Sequence, residues 1–278
     1  MLDSVRAIVR EAGRLSLTYL GTIRSPDVQF KGDVDLVTRA DREVEEFLRR
    51  RLGESFPHVG FCGEEGGDDA GETPLHFLVD PIDGTTNFVH GHPFYAISVA
   101  LRKGAETLAG WVHMPAFDDL YEAASGRGAF KNGNRLSVSG TQQLIEALAA
   151  TGFACVRQRV KPDTVPVFDH AVYRVRGVRR CGSAAVDLCY VAEGRYDVYW
   201  ERNLSPWDVA AGMLVCREAG GRITDFHGGD DIEQRRELVA TNRILHRDML
   251  ELIREAEAKA QQSPAAEETP GHPSRNCR

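Results

Sequence analysis

The run Asp80-Pro81-Ile82-Asp83-Gly84-Thr85-Thr86-Asn87 follows directly on the apolar stretch Phe77-Leu78-Val79. Phe77 to Val79 reads as a short buried strand with Asp80 at its end, and Pro81 and Gly84 force the chain to turn there. The turn brings two carboxylates together beside two hydroxyls, a set that suits hard metal ions and phosphate. Oxygen-only ligands favour Mg²⁺, Mn²⁺ or Ca²⁺ over zinc, which recruits His or Cys, and neither lies in the run. Gly84 allows close backbone approach, and if Thr85 and Thr86 open a helical turn, their N–H groups can hold a phosphate oxygen. An ordinary Asp-Gly turn closing a strand, with Asp and Thr as turn and cap residues, is the competing reading.

Further acids narrow the choice. Glu64 and Glu65 follow Val59-Gly60-Phe61-Cys62-Gly63, another short strand-like segment, although adjacent glutamates are commonly only solvated. Asp208 sits in Ser205-Pro206-Trp207-Asp208, a helix start with Ser205 as N-cap, Pro206 at the first position and Asp208 three beyond the cap. Asp41 stands in the same relation to Thr38. Each acid, taken singly, is explicable as structure.

Together these residues resemble the inositol monophosphatase family, a group of Mg²⁺-dependent, lithium-sensitive phosphomonoesterases. The resemblance runs from about Leu2 to about Ala258. One signature is the Asp80 to Asn87 run continuing into Phe88-Val89-His90-Gly91-His92-Pro93-Phe94. The second is Trp207-Asp208-Val209-Ala210-Ala211-Gly212 leading into Glu218-Ala219-Gly220-Gly221. Lys31 through Asp41, Gly63-Glu64-Glu65 and Gly182-Ser183-Ala184-Ala185 resemble the intervening motifs.

The resemblance implies an α+β fold, the layered αβαβα sandwich of the inositol monophosphatase and fructose-1,6-bisphosphatase type. One catalytic domain would span 1–262, with lobes of roughly 1–140 and 141–262 and the site between them. Glu64, Asp80 and the Ile82 carbonyl would hold a first Mg²⁺, and Asp80, Asp83 and Asp208 a second, with Mn²⁺ able to substitute. Glu64 would reach a third, looser ion through water, beside Glu65. Asp41 and Thr85 would orient and deprotonate the attacking water, with Glu64 as a further catalytic residue. The Gly84 and Thr85 amides would bind phosphate. Gly182, Ser183, Ala184 and Glu201 would line the pocket for the alcohol, with Asp83, Glu201 and Asp208 meeting the substrate. A homodimer is also implied.

A phosphate monoester dianion repels hydroxide, and water at neutral pH is a poor nucleophile. Two ions about 3.5–4 Å apart answer both difficulties, clamping nucleophile and leaving oxygen and acidifying bound water. A covalent phosphoaspartate is the competing route; the resemblance implies direct attack by water. The expected activity is hydrolysis of inositol 1-phosphate. Fructose-1,6-bisphosphatase, histidinol-phosphate phosphatase and 3′-phosphoadenosine nucleotide phosphatase of the wider superfamily remain alternatives, as does a regulatory binding protein on the same scaffold.

Composition agrees. A chain of 278 residues with a net charge of −7 has room for a large core and disfavours a nucleic-acid backbone as primary ligand, leaving a small phosphorylated substrate. The cysteines at 62, 155, 181, 189, 216 and 277 form no Cys-x-x-Cys pair, which points to reduced thiols in a cytoplasm. The N-terminus lacks a basic region followed by an apolar core, and no apolar run is long enough to span a bilayer.

Leu2, Val5, Ile8, Val9, Ala12, Leu15 and Leu20 follow helical spacing, and Val44, Phe47, Leu48 and Leu52 mark a second helix after Asp41. Short β-like runs from Phe94 to Leu136, with Asn132-Gly133 as a hairpin signal, predict an antiparallel meander. Beyond residue 140, helix-like segments (165–173, 184–192, 207–219) alternate with strand-like ones (196–200, 221–224, 237–240), as in helices layered on a second sheet. Residues 263–278 read as a disordered tail. His90 and His92 read as packed or hydrogen-bonded loop residues and Trp207 as a core anchor. Arg174, Arg176, Arg179 and Arg180 read as an exposed strand edge. Arg202, following Glu201, is expected at the mouth of the substrate pocket.

Overall fold

The computed structural model describes residues 1–23, 28–30 and 36–262; the proposed tail at 263–278 and Lys31 to Asp35 of the resemblance lie outside them. Helix α1 (Leu2–Leu17) buries Val5, Ile8, Val9 and Ala12 along one stripe. A two-stranded ribbon, β1 (Val28–Phe30) with β2 (Leu36–Thr38), leads into α2 (Arg39–Ser55). The start of α2 is a capping box: the Asp41 carboxylate accepts the Thr38 N–H at 2.8 Å while the Thr38 hydroxyl accepts the Asp41 N–H.

Strands β3 (Gly60–Gly63), β4 (Gly67–Asp69) and β5 (Leu75–Asp83) precede a short helix, α3 (Thr85–Val89). The expected meander follows as β6 (Ala96–Lys103), β7 (Glu106–Met114), β8 (Asp119–Ala124), β9 (Ala129–Lys131) and β10 (Asn134–Arg135). Together they form an eight-stranded sheet, ordered β10-β9-β8-β7-β6-β5-β3-β4, in which only β3 and β5 run parallel. Lys131 pairs with Asn134, leaving Asn132 and Gly133 as a two-residue hairpin loop with φ of 47° and 81°.

The rest of the chain runs β11 (Leu148–Thr151), α4 (Ala154–Arg157), α5 (Val165–Ala171), β12 (Gly177–Arg179), α6 (Ala184–Ala192), β13 (Val198–Arg202), α7 (Pro206–Glu218), β14 (Arg222–Thr224), α8 (Ile232–Arg235), β15 (Glu237–Thr241) and α9 (His246–Gln262). Its strands form a five-stranded sheet ordered β12-β11-β13-β15-β14.

Strand alternation sorts side chains into layers. On the large sheet Phe77, Val79, Ile97 and Trp111 face α1 and α2, whereas Leu78, Ala96, Ala100 and Val112 face α6 and α7. On the smaller sheet Tyr199 joins that same central core, while Val198 and Trp200 face α5 and α9. The order is helices, sheet, helices, sheet, helices: an αβαβα sandwich, as the resemblance implies. The central helices are covered on both sides and almost wholly apolar; all nine residues of α6 are buried, Asp187 the one charged residue among them, and so are Val209 to Cys216 of α7. Gly110 lets α7 approach the sheet, since a Cβ there would stand 2.9 Å from the Ala211 Cα.

Strand β5 does not stop at Val79 as the apolar run alone suggests. Asp80 pairs with Ser98 and Asp83 with Ala96, so β5 spends one residue more than β6 over this interval. The irregularity falls at Pro81-Ile82, where a residue without an N–H is tolerated.

Candidate active site

Strand β3 ends opposite Val79, while β5 continues to Asp83. The Glu64 N–H donates to the Val79 carbonyl at 3.1 Å, setting Glu64 beside Asp80 just before the bulge of β5. The bulge turns Asp83 to the same place, and Gly84, at φ 104°, starts α3 in a conformation that favours glycine. A Cβ on Gly84 would lie 3.1 Å from both the Gly182 and the Phe94 carbonyl oxygens, so this turn abuts the one before α6.

A cleft of about 380 Å³ opens here, large enough for a small ligand. Glu64, Asp80, Ile82, Asp83, Gly84, Thr85, Gly182, Ser183, Ala184, Glu201 and Asp208 all line it. Asp41 is buried behind Thr85, whose hydroxyl lies 3.2 Å from both Asp41 Oδ1 and the Ile82 carbonyl.

Three aspartates are anchored through one oxygen. Asp80 Oδ1 accepts the Ile82 N–H at 2.9 Å, and Asp208 Oδ2 accepts the Ser205 N–H at 2.7 Å, completing the box that caps α7. Asp83 Oδ2 accepts the Ser183 hydroxyl and the Ala185 N–H, both at 2.7 Å. The second oxygen of each accepts no hydrogen bond from the described residues. Capping and functional readings of Asp41 and Asp208 are therefore compatible: one oxygen does each task.

Burial, then the repulsion of Glu64, Asp83 and Asp208, raises the Asp80 carboxyl well above its ordinary range. Burial likewise raises Asp208, with Asp83 its strongest charged neighbour. Asp83 is pushed up to about 7 by burial, despite its bonds to Ser183 and Ala185, and Asp41 to about 6 by burial, despite its bonds to Thr38. Glu201 is raised by burial and eased by the Tyr199 hydroxyl at 2.7 Å and by Arg180.

Such crowding of acids calls for cations, and the donor set is all oxygen. Among the described residues no three of the His, Cys, Asp or Glu side chains already form a group that could hold an ion. An all-oxygen donor set is of the kind that small hard ions take, with water or substrate oxygens in their shell.

Some expectations need correction. Arg202 is buried on the opposite face of β13 from Glu201, where Nε meets Glu237 at 2.8 Å, Nη2 meets Glu257, and the guanidinium lies over the Phe226 ring. Alternation along the strand sends consecutive residues to opposite sides, so Arg202 cannot stand at the pocket mouth. Arg180, assigned from sequence to a strand edge, instead lies just past β12 and lines the cleft. Trp207 is only partly buried, packing on the central core while also lining the cleft. Ser183 caps α6 and donates to Asp83. His90 and His92 are exposed loop residues outside the cleft lining, as read, with His92 Nδ1 accepting the Phe94 N–H at 3.4 Å.

Other residues went unread. Asn87 Nδ2 donates to the Phe94 carbonyl at 2.6 Å and the Cys181 carbonyl at 2.7 Å, tying α3 to the turn before α6. Gly152 follows β11, and a Cβ there would collide with the Glu201 carboxylate. Arg157 and Arg236 also line the cleft. Asn87 lay in view within the first signature; for the others no local pattern signals the role.

The model of the inositol monophosphatase family matches residues 2–258. The chain is 40% identical over 255 residues to an inositol-1-monophosphatase of Mesorhizobium japonicum, covering 91% of this chain and 96% of that protein. It is 37% identical over 258 residues to a protein of Pseudomonas aeruginosa named Nus factor SuhB, covering 91% and 95%. A crystal structure of the extragenic suppressor protein suhB from Bartonella henselae superposes with a TM-score of 0.87 at 37% identity, covering 91% of this chain and 98% of the other.

Proposed function

We propose, from the premise that this chain belongs to the metal-dependent inositol monophosphatase family, that it is a Mg²⁺-dependent phosphomonoesterase hydrolysing inositol 1-phosphate to inositol and phosphate. The observation that carries the reading is the set of anchored aspartates, each with one oxygen committed to the fold and one left over, gathered with Glu64 around a single cleft.

Glu64, Asp80, the Ile82 carbonyl, Asp83 and Asp208 are the residues that would hold two ions, with Glu64 reaching a third. Bound there, Mg²⁺ or Mn²⁺ supplies neutralisation of phosphate and alkoxide charge and a lowered pKa for water. Thr85 sends its proton toward Asp41 or Ile82, so its lone pairs can accept from a water in the cleft. Asp41, raised toward 6, is suited to take the proton that this water gives up. Gly84 and Thr85 present backbone N–H groups to the phosphate, and Glu201 and Asp83 accept hydroxyls of the inositol ring. Water attacks directly, and the phosphate product leaves without a covalent intermediate. We place the enzyme in the cytoplasm as a homodimer; among the described residues the cysteines are free thiols, and no helix is long and apolar enough to cross a membrane.

Phosphate release from inositol 1-phosphate, measured with Mg²⁺ and with added Li⁺, tests the reading. Turnover that requires Mg²⁺ and falls with Li⁺ supports it; absence of Mg²⁺-dependent release sinks it. Relatives named Nus factors favour a second reading, a binding protein on this scaffold. Stable complexes in cell extract with no phosphatase activity would decide for it.

A further inference from the structure

Helix α2 carries a second buried acid that the proposed chemistry does not use. Glu45 follows Asp41 by four residues, which stacks the two carboxylates along one face of the helix. Asp41 meets the Thr85 hydroxyl; Glu45 reaches the other side of the cleft. Its Oε2 accepts the Glu65 N–H at 2.8 Å, in the loop Glu64-Glu65-Gly66 that joins β3 to β4.

The loop is shaped around this carboxylate. A Cβ on Gly63 would stand 2.5 Å from Glu45 Cδ, and one on Gly66 would stand 2.5 Å from Glu45 Oε1. Neither glycine has a positive φ, so the close approach of Glu45, not an unusual backbone, is what excludes a side chain at both. Arg49, one turn further along α2, extends the grip. Its Nη2 donates to Glu45 Oε1 at 3.4 Å and to the Gly67 carbonyl at 3.2 Å, its Nη1 meets Asp69, and its guanidinium lies 4.4 Å over the Phe61 ring. The helix thus holds the loop at its middle through Glu45 and at its far end through Arg49.

Glu64 is the residue caught between these bonds. Its own N–H goes to the Val79 carbonyl and the next N–H goes to Glu45, so the peptides on both sides of its Cα are fixed. That fixes the direction in which its side chain leaves the backbone. Groups that orient a metal-binding side chain without touching the ion commonly govern affinity by about 10–100-fold. Resting on the phosphatase reading, in which Glu64 holds an ion, we infer that Glu45 is a positioning residue that presents Glu64 to its metal. One face of α2 then serves both halves of the site, the water through Asp41 and the ion through Glu45. Glu64 also adds to the repulsion on buried Glu45, which makes a purely electrostatic role the competing one.

Calorimetric titration of substrate-free protein with Mn²⁺ tests the assignment, the Glu64-dependent binding step being the one that Glu64→Gln removes. Glu45→Asp keeps the charge but withdraws the acceptor from the Glu65 N–H; Glu45→Gln keeps an acceptor and drops the charge. Glu45→Asp should weaken that step about ten-fold and Glu45→Gln by clearly less. In the Glu64→Gln background Glu45→Asp should change Mn²⁺ binding no further. Gly66→Ala, which drives a methyl group against Glu45 Oε1, should weaken the same step and replaces Glu45→Asp if that variant does not fold. A loss in Glu45→Gln as large as in Glu45→Asp overturns the positioning role in favour of charge. Wild-type Mn²⁺ binding in Glu45→Asp, with or without a lower melting temperature, leaves Glu45 a brace of the fold and overturns it too, as does a Glu64→Gln protein that loses no step. Mg²⁺-dependent release from inositol 1-phosphate is measured alongside, and its half-saturating Mg²⁺ should rise in Glu45→Asp by the same factor as the Mn²⁺ loss. No release from the wild type defeats the phosphatase reading, while the Mn²⁺ titrations still judge Glu45 on its own.

Discussion

The Thr85 hydroxyl lies 3.2 Å from Asp41 Oδ1, joining the first turn of α3 to the first turn of α2 across forty-four residues. Asp41 uses its other oxygen to cap α2, so the pair is held from one side by secondary structure and from the other by the cleft.

Removing the hydroxyl separates chemistry from stability. Thr85→Ala should lower kcat by about 10²-fold or more, the range of a lost proton-transfer partner. Its melting temperature should stay near that of the wild type, because the α2 cap is untouched, and Thr85→Ser should recover most of the rate. Steady-state kinetics beside thermal melts decide the matter; an active Thr85→Ala enzyme would remove the pair from the mechanism.

Asp83→Asn and Asp208→Asn should abolish nearly all turnover and lower bound Mg²⁺, read by metal analysis. In metal-free protein the same changes should stabilise, and the sign follows from the raised carboxyls. A group near 7 in the fold and near 4 when unfolded favours folding at low pH, and that advantage is lost as pH rises from about 4 to 7. Metal-free Asp83→Asn should lack this component of the pH dependence. A metal-free Asp83→Asn that melts below the wild type at pH 8 would contradict the repulsion.

His246 should make acid costly. Thr224 gives its proton to the Asp225 carbonyl at 2.7 Å, so His246 Nε2 donates to Thr224 at 3.0 Å, leaving Nδ1 to accept from Thr241 at 3.1 Å. Burial lowers this imidazole to about 4. The unfolded chain takes the proton near 6.5, so stability holds above that pH and falls by about 2–3 kcal/mol as pH drops toward 4. Denaturant melts of wild type and His246→Gln should converge by that amount between pH 7 and 4.5; a constant difference would refute the assignment.

Arg202 should matter for folding and little for substrate choice. Arg202→Met leaves Glu237 and Glu257 without their cation, a loss of about 3–5 kcal/mol for a buried pair. Adding Glu237→Met should restore part of it. Denaturant melts of the single and double variants, set beside relative rates on mono- and bisphosphate substrates, check both halves.

What could be read from sequence was local. The capping relations of Thr38 with Asp41 and Ser205 with Asp208 span three residues, and Asn132-Gly133 names its own turn. Glu64, Asp80, Asp83 and Asp208, each named from sequence, line one cleft. Strands β11 and β12 escaped notice because Leu148-Ala149-Ala150-Thr151 carries no alternation and Gly177-Val178-Arg179 is too short to register. Arg180 and Arg202 were misplaced for one reason: each side chain's direction depends on where a strand ends, and a one-residue difference reverses it. Gly152 meets Glu201 only because β11 and β13 are neighbours in the folded sheet.

The central helices have a consequence for synthesis. The inner face of the large sheet is complete once Arg135 has been made, but its cover, α6 and α7, ends only at Glu218. The ribosome needs about 80 residues more, or about 4–16 s at 5–20 residues per second, before that face can close. During those seconds Leu78, Ala100, Val112 and their neighbours lack their permanent partners, and the nascent chain depends on whatever shields them.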